Sequence, residues 1–357
     1  MKKCTIIGLM SGTSLDGLDM ACIEFILTRK RWSYQIVAAE TIGYTRSLVK
    51  RLETSGELTA LELTALDTWY GRWSGTQICR FIKKHRLNPD LISSHGHTVF
   101  HQPSKGFTLQ IGSGAAIAAA TGITTVCDFR SMDVALGGQG APLVPIGDEL
   151  LFGEYDYCLN LGGFANLSFN QQGIRQAFDI CPANIVLNAL SQEVNKPYDR
   201  NGSLSSAGKT DQALLKKLNA VPFFHQPGPK SLGKEWVEKN VLPILSKSTL
   251  PVIDKLNTYV AHISMQIGSC IQTPSSRVLI TGGGVYNCFL LEKIKENSNA
   301  EFIVPDDMLI QFKEALIFAF LGLRRLRAEV NCLMSVTGAC RDSVGGSIYL
   351  GMNASRK

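Results

Sequence analysis

Twice along the chain, two apolar, β-favouring stretches meet at a polar turn that carries glycine. Residues 4–10 and 18–26 flank Met10-Ser11-Gly12-Thr13-Ser14-Leu15-Asp16-Gly17; further on, Tyr157-Cys158-Leu159-Asn160-Leu161 and Phe164 to Phe169 flank Gly162-Gly163. Apolar runs bounded by glycine and polar residues pair across a tight bend, so each segment reads as a β-hairpin. The second hairpin echoes the first, with glycines at the bend in both copies. The recurrence is faint, and duplication and coincidence fit it equally.

The remaining pattern alternates. Residues 34–42 extend the first sheet, 58–86 show helical periodicity, and short strands at 91–94, 107–111 and 124–128 accompany a small-residue helix at 113–121. Downstream lie a strand at 175–179, helices at 183–194, 234–246 and 255–272, a strand at 277–281, and helices at 286–296 and 311–329. Such alternation predicts an α/β fold. With 357 residues there is room for two domains. The boundary is expected near the Gly/Pro-rich GGQGAP stretch, giving domains 1–140 and 141–357 with the last helix able to cross back.

Composition removes several function classes. Hydrophobic residues make up 45% and charged residues 18%, an ordinary balance for a chain with a sizeable core. The net charge of +6 suits a small anionic ligand and is too dispersed for nucleic acid. Ten cysteines without a CxxC pair argue against a disulfide framework or a zinc site and fit reduced thiols in a cytoplasmic protein. No apolar run approaches the ~20 residues of a membrane span, so no membrane partner is expected.

Three glycine turns could carry chemistry. Gly12-Thr13-Ser14 offers unobstructed backbone N–H groups and hydroxyls to a phosphate, with Asp16 a candidate magnesium ligand. Asn160-Leu161-Gly162-Gly163-Phe164-Ala165-Asn166 could serve the other end of a phosphate chain, and Thr281-Gly282-Gly283-Gly284 would let a base or ribose approach the backbone. Tight turns use the same residues with no ligand, and no GxxxxGK[ST] loop is present. Asp179, at the end of a strand and followed by Pro182, is a candidate general base or a helix cap. Arg130 and Glu314 are charges beside apolar runs that could grip a polar substrate or simply be exposed. Ser94-His95-Gly96-His97-Thr98, with His101 nearby, would put two rings on one face of a strand. It reads more readily as a polar loop lining a substrate than as a metal site, because no Cys or carboxylate completes a ligand set.

Taken in order, the segments IGLMSGTSLDGLD, SSHGHTVFHQP, TLQIGSGAAIA, VCDFRSMDVALGGQGAPLVP, LNLGGFANLSF, YDRNGSLSSAG, PKSLGKEW, ITGGGVYN, KEALIFAFLG and VTGA resemble the anhydro-N-acetylmuramic acid kinase family, from residue 6 to about residue 351. The resemblance implies two RNase H-like, actin-like ATPase domains with an interdomain cleft, and a homodimer. It implies an ATP- and Mg²⁺-dependent kinase that opens 1,6-anhydro-N-acetylmuramic acid with water and phosphorylates O6, in cell-wall sugar recycling. Gly12, Thr13, Ser14, Leu15, Asp16, Gly17, Leu18 and Asp19, with Gly162, Gly163, Asn166, Gly282, Gly283 and Gly284, then fall at the ATP site. Asp179 falls at the catalytic base, and Thr98, Arg130 and Glu314 at substrate-contacting positions.

The sequence also departs from the family pattern. FDTGPGN becomes Phe178-Asp179-Ile180-Cys181-Pro182-Ala183-Asn184, placing a Cβ where the family has glycine. Asn188, Leu232 and His97 stand where Asp, Thr and Gln are usual. Two alternative activities follow: a kinase for another anhydro-sugar such as levoglucosan, or a sensor that binds nucleotide or sugar without turnover.

Overall fold

Both sheets of the protein are built on the same order of five core strands. The computed structural model describes residues 2–12, 15–29 and 31–352. Strands β1 (Lys2–Ser11), β2 (Gly17–Thr28), β3 (Arg31–Gly43), β4 (Leu91–Gln102), β5 (Phe107–Ile111) and β6 (Thr125–Cys127) belong to the first sheet. Strands β7 (Tyr157–Leu161), β8 (Phe164–Gln171), β9 (Ile174–Pro182), β10 (Arg277–Thr281) and β11 (Glu301–Ile303) form the second, and β12 (Ser347–Tyr349) returns to the first. The orders are β12-β6-β4-β1-β2-β3, with β5 on β4, and β11-β10-β7-β8-β9. In each, the opening hairpin and its third strand are antiparallel, while the fourth and fifth strands of the core run parallel to the first. This is the RNase H-like arrangement, present twice, and it explains why the two hairpins echo each other.

The chain divides into one unit of residues 1–151 and 312–357 and another of residues 152–311. The helix Asp307–Leu326 carries the chain from the second unit back into the first. The first stretch runs to Leu151, just past the Gly/Pro-rich loop, because Gly147 in the helix Pro145–Leu151 packs on Ile317.

In the first unit the sheet is covered on both faces. Ile7, Leu9, Leu18, Met20 and Cys22 meet Ile78, Phe81 and Ile117. Ile78 and Phe81 lie on the helix Ala60–His85, which starts at a Thr59/Glu62 capping box and stops where Arg86 turns left-handed at φ 54°. Against the other face lies the helix Asp307–Leu326, with Phe25 and Phe320 ring centroids 5.5 Å apart and Ser93 Oγ donating to the Phe318 carbonyl at 2.5 Å. Gly8 makes this packing feasible: a Cβ there would run into the carbonyl of Ala315. In the second unit, Leu159, Leu167 and Ile280 of the sheet pack with Tyr259, Ile263 and Ile267 of the helix Val252–Cys270.

Several elements differ from the pattern-based reading. Strand β4 runs on to Gln102 through the stretch read as a polar loop, because β5 pairs with it. The helix expected over 234–246 is two, Lys234–Asn240 and Leu242–Ser246, broken at Val241 beside Pro243, which has no N–H to donate. Pro182 ends β9, and the next helix starts two residues later at Asn184. Strands β11 and β12, of three residues each, and the helices Arg46–Glu53 and Gln212–Asn219, of eight residues each, are too short to stand out in the sequence.

Gly8→Ala should destabilise the protein by about 1–3 kcal/mol, since the helix at Ala315 must back away from the sheet. Equilibrium denaturation followed by circular dichroism measures this.

Candidate active site

The second unit supplies a polar row across its sheet. Thr281 pairs with Asn160, Asn160 with Asn166, and Asn166 with Asp179, so four polar side chains lie side by side across β10, β7, β8 and β9. A shift in register between Ala165 and Asn166 makes this alignment. Cys181 pairs with Ala165 and Asp179 with Asn166, leaving Ile180 as the extra residue of a β-bulge. Both Ile180 and Cys181 then point into the hydrophobic core, and Asp179 is kept out of it.

Asp179 is half-buried and bracketed by the segment after Pro229. Its N–H donates to the Lys230 carbonyl at 2.9 Å, and its Oδ2 accepts from the Leu232 N–H at 2.8 Å. Burial raises the carboxyl to about 6, with the Leu232 N–H pulling the other way. Lys230 does not neutralise it, because its Nζ donates to the carbonyls of Phe223 and Gln226, each at 3.0 Å. Nor does Asp179 cap a helix. The helix Asn184–Gln192 is capped by backbone: the Gly163 carbonyl accepts from Ala183 at 2.8 Å and Ile185 at 3.2 Å. Ala183 has a φ of −121°, so the residues standing where the family has glycine require no left-handed backbone here.

The glycines of this unit divide by role. Gly282 has a φ of +87°, and a Cβ there would lie 2.6 Å from Asn160 Oδ1. At Gly284 it would lie 2.7 Å from the Leu161 Cβ, so both glycines let two strand ends meet. Gly283, by contrast, has nothing within 4 Å, and Gly163 only the Ile185 Cβ at 4.0 Å. Both are exposed, at the ends of the adjacent parallel strands β10 and β7. These two leave backbone open to a ligand. Thr281 Oγ1 is buried beside them with no hydrogen-bond partner among the described residues.

In the first unit, Thr13 and Ser14 lie outside the described residues. Gly12 and the exposed Asp16 flank them, and the Leu15 N–H donates to the Gly12 carbonyl at 3.3 Å. Gly17 is glycine for a structural reason: a Cβ would sit 2.6 Å from the Ile42 carbonyl of β3. Leu18 points into the core. Asp19 is half-buried and accepts from Thr41 Oγ1 at 2.5 Å, its carboxyl raised by burial and by Asp16. Among the described residues no group of three or more His, Cys, Asp and Glu could hold a metal ion. A lone carboxylate such as Asp16 could take part in holding a magnesium ion only with water and phosphate oxygens as the other ligands.

The histidine pair does not share a face. Gly96, at φ +78°, sits in a bulge where Leu9 pairs with Ser94 and Ser11 with His97. His95 turns to the helix Asp307–Leu326, its ring 4.6 Å from that of Phe318. His97 Nδ1 lies 3.1 Å from Ser11 Oγ, which accepts from Tyr44 at 2.7 Å; the Tyr44 hydroxyl is 2.6 Å from that of Tyr70. Burial lowers His97 to about 4, so it is neutral at physiological pH. Next to it, Thr98 Oγ1 lies 3.5 Å from Gln110 Nε2. Arg130 donates from Nε at 3.0 Å and Nη2 at 2.9 Å to His95 Nε2, and from Nη1 at 2.6 Å to the Gly140 carbonyl. Neither the metal reading nor the loop reading of this stretch anticipates such a bond. The usable signal was the glycine between the two histidines, which breaks strand alternation. Burial brings Arg130 down to about 10, while Glu314 opposes that shift. Glu314 keeps contact with solvent yet is crowded by protein atoms. This desolvation raises its carboxyl, Arg130 lowers it, and Asp19 raises it further. Asp16, Asp19, Glu314 and Arg130 thus form one chain of electrostatic neighbours.

A family model described as anhydro-N-acetylmuramic acid kinase matches residues 4–351. An anhydro-N-acetylmuramic acid kinase of Pasteurella multocida (strain Pm70) is 35% identical, covering 98% of this chain and 98% of its own. Those of Pseudomonas fluorescens (strain Pf0-1) and Synechococcus elongatus are each 36% identical over 96% of this chain, and 98% and 99% of their own. Among solved structures, the activator of the 2-hydroxyisocaproyl-CoA dehydratase from Clostridium difficile with bound ADPNP aligns over 91% of this chain and 98% of its own, at 15% identity and a TM-score of 0.43.

The glycine roles can be separated experimentally. Gly282→Ala should cost about 1–3 kcal/mol, because its backbone conformation is essentially restricted to glycine. Gly283→Ala should leave stability within about 0.5 kcal/mol. Urea unfolding of the two variants reads the difference.

Proposed function

We propose that this chain, which belongs to the anhydro-N-acetylmuramic acid kinase family, uses Asp179 as the base of that family's reaction. The protein is an ATP-dependent phosphotransferase acting on an anhydro-amino-sugar of the cell wall. Asp179 takes a proton from water as the water oxygen attacks C1 of 1,6-anhydro-N-acetylmuramic acid. The C1–O6 bond breaks, and O6 accepts the γ-phosphoryl group of ATP. The products are N-acetylmuramic acid 6-phosphate and ADP, and the proton leaves through Asp179. Magnesium, when bound, neutralises phosphate charge; Asp16 is the residue we assign to it, through water. Gly12 to Asp16 and Asp19, with Gly163, Asn166 and Gly283, are assigned to ATP, and Thr98, Arg130 and Glu314 to the sugar. The cytoplasm is the compartment proposed, and a homodimer the assembly. No described helix is long and apolar enough to cross a membrane.

The observation that carries this reading is the state of Asp179. Its Oδ2 is held by the Leu232 N–H, no cation pairs with it among the described residues, and its pKa of about 6 is suited to abstracting a proton near neutrality. The departures at 180–183 leave this geometry standing, because the new side chains fill the core instead of the ligand side of the sheet.

Purified protein with MgATP should release ADP only when 1,6-anhydro-N-acetylmuramic acid is added, and ³¹P and ¹³C spectra of the product should show an opened ring phosphorylated at O6. Levoglucosan-dependent release with no response to the muramic sugar would favour the alternative kinase. Measurable sugar binding without release would favour the sensor.

Two further outcomes follow from the raised carboxyl. Activity requires the ionised base, so kcat/KM should rise with pH through about 6 and fall roughly tenfold per unit below it. Asp179→Asn should abolish turnover and leave ATP binding nearly intact. A carboxyl whose folded pKa lies above its unfolded value stabilises below the unfolded pKa and loses that contribution as pH rises through about 6. The Asn variant should therefore be more stable than the parent at pH 8, by about 1–3 kcal/mol, and less so at pH 4. Thermal melts at the two pH values check the sign.

A further inference from the structure

Arg130 uses three of its five N–H donors on the protein itself. The Nε and Nη2 groups converge on one imidazole nitrogen, His95 Nε2, and Nη1 reaches the Gly140 carbonyl. An imidazole nitrogen that accepts from a guanidinium carries no proton, so the proton of His95 lies on Nδ1, which is 2.9 Å from the Gly96 carbonyl. His95 is buried and its ring is packed on Phe318, which fixes its orientation.

The other side of Arg130 is fixed just as closely. Asp133 is 1% exposed. Its Oδ2 accepts from the Gly140 N–H at 2.7 Å, and its Oδ1 accepts from Thr337 Oγ1 at 2.7 Å and Cys332 Sγ at 3.1 Å. A Cβ at Gly138 would collide with this carboxylate, so the loop closes directly over it. A buried carboxylate with both oxygens occupied by separate segments pins the position of Gly140, and hence of the carbonyl that receives Arg130. The late VTGA stretch is tied into this arrangement through Thr337.

We propose that His95 and Asp133 are positioning residues for Arg130: together they orient the guanidinium so that its two remaining N–H donors, one on each terminal nitrogen, face the sugar. The proposal rests on the assignment of Arg130 to the sugar. A freely rotating arginine would lose side-chain entropy on each binding event, whereas one held at three donors has lost it in advance. The frame therefore acts on sugar affinity and leaves the chemical step and the ATP site alone.

Steady-state kinetics with MgATP and 1,6-anhydro-N-acetylmuramic acid test it on His95→Phe, His95→Gln, Arg130→Ala and the Arg130→Ala/His95→Phe pair. His95→Phe keeps a ring against Phe318 and removes the acceptor. It should raise the KM for the sugar tenfold or more, with kcat and the KM for ATP changed less than twofold. His95→Gln restores an acceptor oxygen and should recover part of that loss. The double variant should be no worse than Arg130→Ala, since His95 has nothing left to orient. Thr337→Val approaches from the other side without removing a ring, and should raise the sugar KM severalfold even if His95→Phe does not fold.

An unchanged sugar KM in folded His95→Phe and Thr337→Val, alongside a raised one in Arg130→Ala, would overturn the frame and leave Arg130's assignment standing. So would additive losses in the double variant. If Arg130→Ala itself leaves the sugar KM unchanged, the assignment of Arg130 fails and the frame fails with it.

Discussion

The first unit depends on how closely the helix Asp307–Leu326 can approach β1. Gly8 has no side chain, so the backbone of Ala315 seats against the strand. Two other contacts lock the same helix. Ser93 bonds to the Phe318 carbonyl, and the buried Lys313 ammonium lies 2.8 Å from the buried Asp148 carboxylate. A paired charge this deep is costly to break, because either partner alone would be an uncompensated buried ion. The placement of this unit's other candidate residues follows from that contact. Glu314 is carried within electrostatic reach of Arg130 and Asp19, and Phe318 supplies the surface on which His95 is oriented.

In the second unit a single inserted residue decides where Asp179 stands. Without the bulge at Ile180, strand alternation would leave Asp179 out of line with Asn166. With it, Ile180 and Cys181 both enter the core and Asp179 stays at the polar row. The arrangement holds a carboxyl in surroundings that disfavour its charge, which is a cost to stability and a gain in basicity near neutral pH. The hydrophobic residues at 180 and 181 are thus compatible with the base proposed at Asp179, because the core takes them up.

Much of the plan was legible in the chain. The two hairpins, their glycine turns and the alternating elements between them are local patterns, and turn chemistry and apolar periodicity report such patterns directly. Asp179 stood out for a similar reason, as a carboxylate at the end of an apolar strand. The stretch from Ser94 to His101 was not legible. Its continuation as a strand is paid for by pairing with β5, and its two rings diverge because Gly96 takes a left-handed conformation. Leu18 and Gly17 belong to the ATP motif in sequence, yet in space one is core and the other makes room for β3.

What the sequence determined by itself was the kind of object: an α/β chain with two glycine-hinged hairpins, a set of glycine-bearing turns, and a family-wide order of motifs. Those properties reside in residues close together along the chain, where steric and turn preferences act without help. Only the tertiary structure decided which of those residues are free to act. It separated the open glycines Gly163 and Gly283 from Gly282 and Gly284, which are packed against strand ends. It turned His95 from part of a supposed substrate-lining loop into the acceptor for Arg130, and joined Asp133 to Thr337 across a long stretch of chain. Burial, hydrogen-bond partnership and electrostatic neighbours are set by residues distant in sequence, and no local pattern encodes which distant group will arrive.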